Sequence, residues 1–302
     1  MRSPSPLVVI KFLIAVAFVS GLGLWASQHV SWAALRDAWQ HVQGASLLLI
    51  LTGIFLSHFL RVLRLFHAYR VQSAVNLLRV AGVSLVHNTV SFMLPMRLGE
   101  AALPILSRQH LQVDMVYSVS TLLLLRLFDA HWLFLLLVFF AADTFFEADR
   151  TVLLLASLAT LPLGILAART LVFRVPRLQT ARPLVERLST VLALYVETGA
   201  IWVIKLAALS LLAAQLGSLT VDHAWIATIM ADASALSPLT GFANAGTFEL
   251  AFSLPLLPLG YAQSALLTVA LNLHMVVLVT NIAVGVVGAA MMFFQPNNPK
   301  VH

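Results

Sequence analysis

The chain has 302 residues, of which 60% are apolar and only 10% charged, with a net charge of +6 and a mean hydropathy of +0.94. That balance excludes a soluble globular domain and predicts an all-α, polytopic integral membrane protein. The absence of Cys excludes disulfides, thiolate nucleophiles and zinc-thiolate sites.

Arg2 and Lys11 precede an apolar run from about Phe12 to Ala26, within an expected span near 7–27. Leu24-Trp25-Ala26 lacks the small-x-small pattern of a cleavage site, so this run is expected as a retained first span. A second span is predicted near 46–66, and the stretch Arg61 to Arg79 that follows carries Arg61, Arg64, Arg70 and Arg79 without an acid. It is cytoplasmic by the positive-inside rule, with Arg61 and Arg64 expected as anchors to lipid phosphates.

Residues 76–109 do not read as a simple span, because Leu94-Pro95-Met96-Arg97-Leu98-Gly99-Glu100 interrupts them. Proline removes a backbone donor, glycine tolerates positive φ, and a carboxylate is costly in hydrocarbon. Irregular backbone at membrane depth survives only where protein or a polar cavity covers it, so the segment is expected to be a broken helical hairpin that returns to its own side. His87, Asn88 and Ser91 precede the break; Arg97 and Glu100, three apart, either neutralise each other as a structural pair, or Arg97 and the helix N-terminus receive an anionic headgroup while Glu100 orients Arg97 or meets a cationic moiety.

A long span is predicted at 114–142. Arg126 and Asp129 share one of its faces as an intrahelical ion pair or as part of a site. The turn at 143–150 has no cationic excess and is expected outside. Spans near 151–173 and 189–213 follow, with an Arg-rich cytoplasmic loop at 174–188 between them. Glu197 and Lys205, eight apart, share a face of the later span and are expected to bridge other helices or to line one cavity.

Residues 223–259 form a second interrupted region, with Pro238 followed by Gly246-Thr247-Phe248-Glu249. Asp232 requires a partner from another helix, with Arg126, Lys205 and His274 the candidates. Asn244 and Thr247 can cap the resumed helix. A last span at 262–293 returns the chain to the cytoplasm, so both termini are expected there. The count makes six full spans and two re-entrant hairpins entering from opposite faces. That is an inverted repeat of about 76–142 and 223–293 within a single domain, 1–302.

Trp32, Trp39 and Trp225 read as interfacial belt residues. The His residues show no metal-ligand spacing, and no phosphate loop, GxSxG elbow or HExxH is present. No cofactor is implied. The basic residues flank apolar spans instead of forming a nucleic-acid face.

Asn88-x-x-Ser91-x-x-Leu94-Pro95-x-Arg97-x-Gly99-Glu100, then Leu124-Leu125-Arg126-Leu127-x-Asp129, then Pro238 through Gly246-Thr247-x-Glu249, resembles the lysylphosphatidylglycerol synthase transmembrane-region family over roughly residues 7–293. The resemblance implies a bacterial or archaeal inner-membrane protein that moves or binds a polar lipid. The aminoacyl-transferase domain of the fused members has no counterpart here. The chain departs from the family where Ala101 through Leu106 is apolar with Pro104, and where the second repeat has Asn272 and His274 in place of Arg126.

The expected function is a flippase for a polar or anionic phospholipid, whose substrate contacts come from Asn88, Arg97, Glu100, Arg126, Asp129, Asp232, Asn244, Glu249 and His274. The alternative is a membrane-embedded enzyme or accessory subunit acting on a lipid-linked intermediate, with Glu100 or Glu249 as general acid or base. A third is an ion-coupled carrier of small solutes with Asp232 or Glu249 as the proton site. The expected partner is a membrane lipid or lipid-linked substrate, with a homo-oligomer possible and no nucleic acid.

Overall fold

A computed structural model describes residues 31–145, 149–237 and 240–294. Helices α1 (Trp32–Asp37), α2 (Gly44–Arg70), α3 (Leu77–Met93), α4 (Ala102–Leu106), α5 (Met115–Phe145) and α6 (Arg150–Arg174) are followed by α7 (Arg182–Glu186), α8 (Leu188–Gly217), α9 (Val221–Ala233), α10 (Thr247–Ser253) and α11 (Gln263–Phe294). Among the described residues there is no strand.

Five helices, α2, α5, α6, α8 and α11, are long and apolar enough to cross a membrane, and they coincide with the expected spans from 46–66 onward. The expected span at 7–27, the Pro238 of the second interruption and the C-terminus lie outside the described residues. The chain is thus a multi-pass, all-α membrane protein. The shortest of the five, α6, has 25 residues, about 37 Å at helical rise, against about 30 Å of hydrocarbon. By contrast α3 has 17 residues, about 25 Å, and falls short.

Helix starts follow local chemistry. Asn76 Oδ1 accepts from the N–H groups of Leu78 and Arg79 at 2.9 and 3.3 Å, and Asp149 Oδ1 accepts from Thr151 and Val152 at 2.7 and 3.2 Å, each satisfying two donors that the first turn leaves open. The Asp149 carboxyl is held below the ordinary carboxylate range, first by the Val152 N–H and then by that of Thr151.

Both interrupted regions share a plan of helix, break and short helix. Leu94, extended at φ −83° and ψ 133°, precedes Pro95 as the steric clash with the proline ring requires. Met96 and Arg97 then take left-handed conformations in succession, φ 55° and 57°, and the second break repeats this at Ala243 and Asn244, φ 50° and 61°. The two breaks touch: the Met96 N–H donates to the Thr240 carbonyl at 3.1 Å.

Helices α2 and α8 pack along their length, as do α3 and α11. The second contact is close because it is built from small residues. A Cβ added to Gly288 would stand 3.0 Å from the Val86 nitrogen and 3.1 Å from the Gly82 oxygen, so the helices approach to backbone contact. Helix α6 is the opposite case: its apolar side chains are mostly exposed, as suits a lipid-facing span.

Candidate functional site

Many of the charged residues of the apolar spans converge near the two breaks. Helix α2 presents His58, Arg61 and Arg64 at i, i+3 and i+6, one face of the helix. Thr198, Trp202 and Lys205, at i, i+4 and i+7, share one face of α8, and α5 contributes Arg126 and Asp129. Arg97 and Glu100 come from the first break, and Asp232 from the last turn of α9.

These side chains form a chain of alternating charge. Glu100 Oε1 accepts from Arg97 Nη2 at 2.7 Å and Nε at 3.2 Å, and lies 2.9 Å from Arg126 Nε, though that N–H is not aimed at it and has no hydrogen-bond partner. Arg126 Nη1 donates to Asp129 Oδ2 at 3.3 Å. Asp129 Oδ1 accepts from Arg64 Nη1 at 2.8 Å and Trp202 Nε1 at 2.9 Å. Arg64 also reaches Thr198 Oγ1 at 2.8 Å. Beyond Trp202, Lys205 Nζ donates to Asp232 Oδ1 at 2.7 Å. The guanidinium of Arg61 stands 5.0 Å from the Trp202 ring and the Lys205 ammonium 5.3 Å from it. Among the described residues Arg61 forms no ion pair.

The charges do not cancel. Arg61, Arg64, Arg97, Arg126 and Lys205 face Glu100, Asp129 and Asp232, an excess of two cations. Partly buried charge without a counter-charge is costly, so the arrangement favours a bound anion. It lines a half-open cavity formed by Arg61, Arg97, Arg126 and Lys205 with Glu100, Asp232, Asn88 and Asn244. A smaller cavity shares Arg61, Asn88 and Arg126 with it and adds Arg64, His87 and Asp129. Among the described residues, Asn88 Nδ2 and Arg64 Nε are buried donors without a hydrogen-bond partner, which is unusual for buried polar groups. Guanidinium forks and amide donors on one cavity wall match the oxygens of a phosphate.

Of the residues expected from sequence, Asn88, Arg97, Glu100, Arg126, Asp129, Asp232 and Asn244 meet around these two cavities. Glu249 and His274 do not line them; they pair with each other, His274 Nδ1 to Glu249 Oε1, at 2.5 Å. Asn244 is tied down locally: its Nδ2 donates to Ser234 Oγ at 3.0 Å, and its Oδ1 accepts from Thr247 Oγ1 at 2.5 Å.

The structure decides several expectations. Arg61 and Arg64 are not lipid anchors; Arg64 is 5% exposed and bound to Asp129. The Arg126–Asp129 pair exists, yet Asp129 is held more closely by Arg64. Of the candidates for Asp232, the partner is Lys205. Glu197 does not share the cavity with Lys205, since it pairs with His67. Trp39 reaches inward and donates from Nε1 to Asn272 Oδ1 at 2.8 Å. The three-residue spacing of His58, Arg61 and Arg64 was the signal for an inward polar face on α2.

A family model described as "Lysylphosphatidylglycerol synthase TM region" matches residues 10–285. No curated protein matches the chain.

Proposed function

Because the chain belongs to the lysylphosphatidylglycerol synthase transmembrane-region family, we propose that its lipid-related role is the movement of an anionic phospholipid between leaflets. The observation that carries this reading is the excess of cations around the larger cavity. Arg61, Arg97, Arg126 and Lys205 receive the phosphate; Glu100, Asp129 and Asp232 hold those cations in place and keep the site from trapping its anion. The acyl chains stay in the surrounding lipid while the headgroup crosses between the breaks.

An inverted repeat supplies the means of alternating access. Its support is a constant shift of 147 positions. That shift carries Met96–Arg97 onto Ala243–Asn244 and Gly99 onto Gly246. It also carries α2 onto the last 27 residues of α8, and α5 onto α11 to within two residues at either end. From the start of each matched element to the start of its partner the chain makes three crossings, α2, α5 and α6 for α2 and α8, and α5, α6 and α8 for the breaks and for α5 and α11; the number is odd, so each matched pair runs in opposite directions. The first hairpin then enters from the cytoplasm and the second from outside, within a single domain of the inner membrane whose termini are both cytoplasmic.

The test is reconstitution in vesicles containing a fluorescent phosphatidylglycerol, read by how fast inner-leaflet probe becomes accessible to an external quencher. The expected result is exchange well above protein-free vesicles. It is slowed roughly ten- to hundredfold by Arg97→Ala or Arg126→Ala, the equivalent of one charge-assisted contact. Exchange no faster than in protein-free vesicles would overturn the reading.

A further inference from the structure

Glu249 and His274 stand outside the headgroup cavity, yet they are 4% and 7% exposed. Glu249 lies in the first turn of α10, where its Oε2 accepts from the Gly246 N–H at 2.7 Å. Its Oε1 faces His274 Nδ1. The other ring nitrogen, Nε2, lies 2.8 Å from the Ala243 carbonyl oxygen. The imidazole therefore has an acceptor at each nitrogen.

A neutral imidazole donates from one nitrogen and presents a lone pair at the other. Both contacts are satisfied only when the pair holds one proton more than a neutral ring and a carboxylate. That proton sits on the ring, making it imidazolium, or on Glu249 Oε1, which then donates to Nδ1 while Nε2–H donates to Ala243. Without it, one contact sets lone pair against lone pair. Both contacts hold the second break, and Ala243 and Asn244 are non-glycine residues at positive φ, a conformation that persists only while its surroundings enforce it.

The pair also sits beside the headgroup site without opening into it. Phe248 packs on the His274 ring with centroids 4.8 Å apart, and Phe92 meets its edge at 6.0 Å; both phenyl rings line the larger cavity, as does Asn244. We propose that Glu249 and His274 form a proton-binding site whose occupancy sets the conformation of the second break and so couples lipid movement to proton movement. The inference rests on the flippase reading for its cargo, though not for the proton site itself.

Other titratable groups stand on the surrounding elements. Asp232 of α9 acts on His274 by its charge; its Oδ1 holds Lys205 of α8, and its Oδ2 has no hydrogen-bond partner among the described residues. His87 of α3 lines the smaller cavity, and His58 and Arg61 of α2 line the larger one. At the start of α9, His223 bonds the Tyr261 hydroxyl beside Asp222, and on α1 Arg36 pairs with Asp37. The proton enters from one aqueous face, is held between Glu249 and His274, and leaves to the other, so none is consumed.

The full chain in vesicles with fluorescent phosphatidylglycerol and an imposed pH gradient tests this. For one proton per lipid, the probe accumulates in one leaflet about tenfold per pH unit. Glu249→Gln and His274→Gln abolish the accumulation while exchange at equal pH persists. Glu249→Gln retains an acceptor for Gly246, and His274→Gln retains one donor and one acceptor, so two independent variants probe the pair. Even distribution of probe by the wild type under a gradient, or undiminished accumulation by both variants, would sink the proposal. If the wild type moves no lipid, the flippase reading falls, and the proton site is decided by potentiometric titration in detergent. Either variant binding one proton fewer than the wild type between about pH 5 and 8 sustains it; equal binding overturns it.

Discussion

Asp129 satisfies Arg64, Arg126 and Trp202 with two oxygens while 1% exposed, so it is the residue on which the buried charge chain depends. Asp129→Asn leaves Arg64 buried without a counter-charge. We predict a loss of at least about 3 kcal/mol, the range for breaking a buried pair by removing one partner, measured by unfolding in detergent. The double variant Arg64→Met, Asp129→Leu recovers most of that stability, because apolar groups of similar volume replace the pair; a double variant as unstable as the single one would contradict the argument. Sequence spacing revealed Arg126 and Asp129 because they are three apart. It did not reveal Arg64, which is 65 residues away and whose position at the end of an apolar run fitted a surface anchor equally well.

At the scale of elements, the breaks were legible and their geometry was not. Pro95, Gly99 and Glu100 announce that the first helix stops, and the five described spans follow from apolar run length alone. Consecutive left-handed residues at Met96-Arg97 and Ala243-Asn244 carry no such signature, since three of the four are residues that ordinarily avoid that conformation. What enforces it is packing around the break. A Cβ at Gly99 would lie 2.2 Å from the Val90 carbonyl oxygen and 2.5 Å from the Ser91 Cα, so the return segment lies directly on the end of α3. Both atoms are backbone and cannot rotate away. Gly99→Ala is therefore expected to displace the return segment and with it Glu100. The displacement should appear as faster proteolysis at residues 94–101 and loss of lipid exchange, while a variant as resistant and as active as the wild type would refute this placement.

At the scale of the molecule, the proposed orientation of the two halves rests on loop charge, and the protein is a ready background for testing it because it contains no Cys. Single cysteines at the exposed positions Ala74, Thr180 and Asp143 should react with an impermeant thiol reagent from two different sides. Ala74→Cys and Thr180→Cys label only from the cytoplasmic face and Asp143→Cys only from outside; labelling of all three from one side would rule the topology out. Charge counting proposes an orientation for the spans because each loop can be read by itself. It could not reach the site, whose cations come from α2, α5, α8 and a break and meet only after the halves pack. The bond from the Met96 N–H to the Thr240 carbonyl joins the breaks of those two halves, so neither can shift without the other registering it. Thermodynamics then requires that whatever factor a proton at His274 imposes on headgroup affinity, the headgroup imposes on proton affinity in return. Lipid binding at constant pH should itself be a proton-exchanging event.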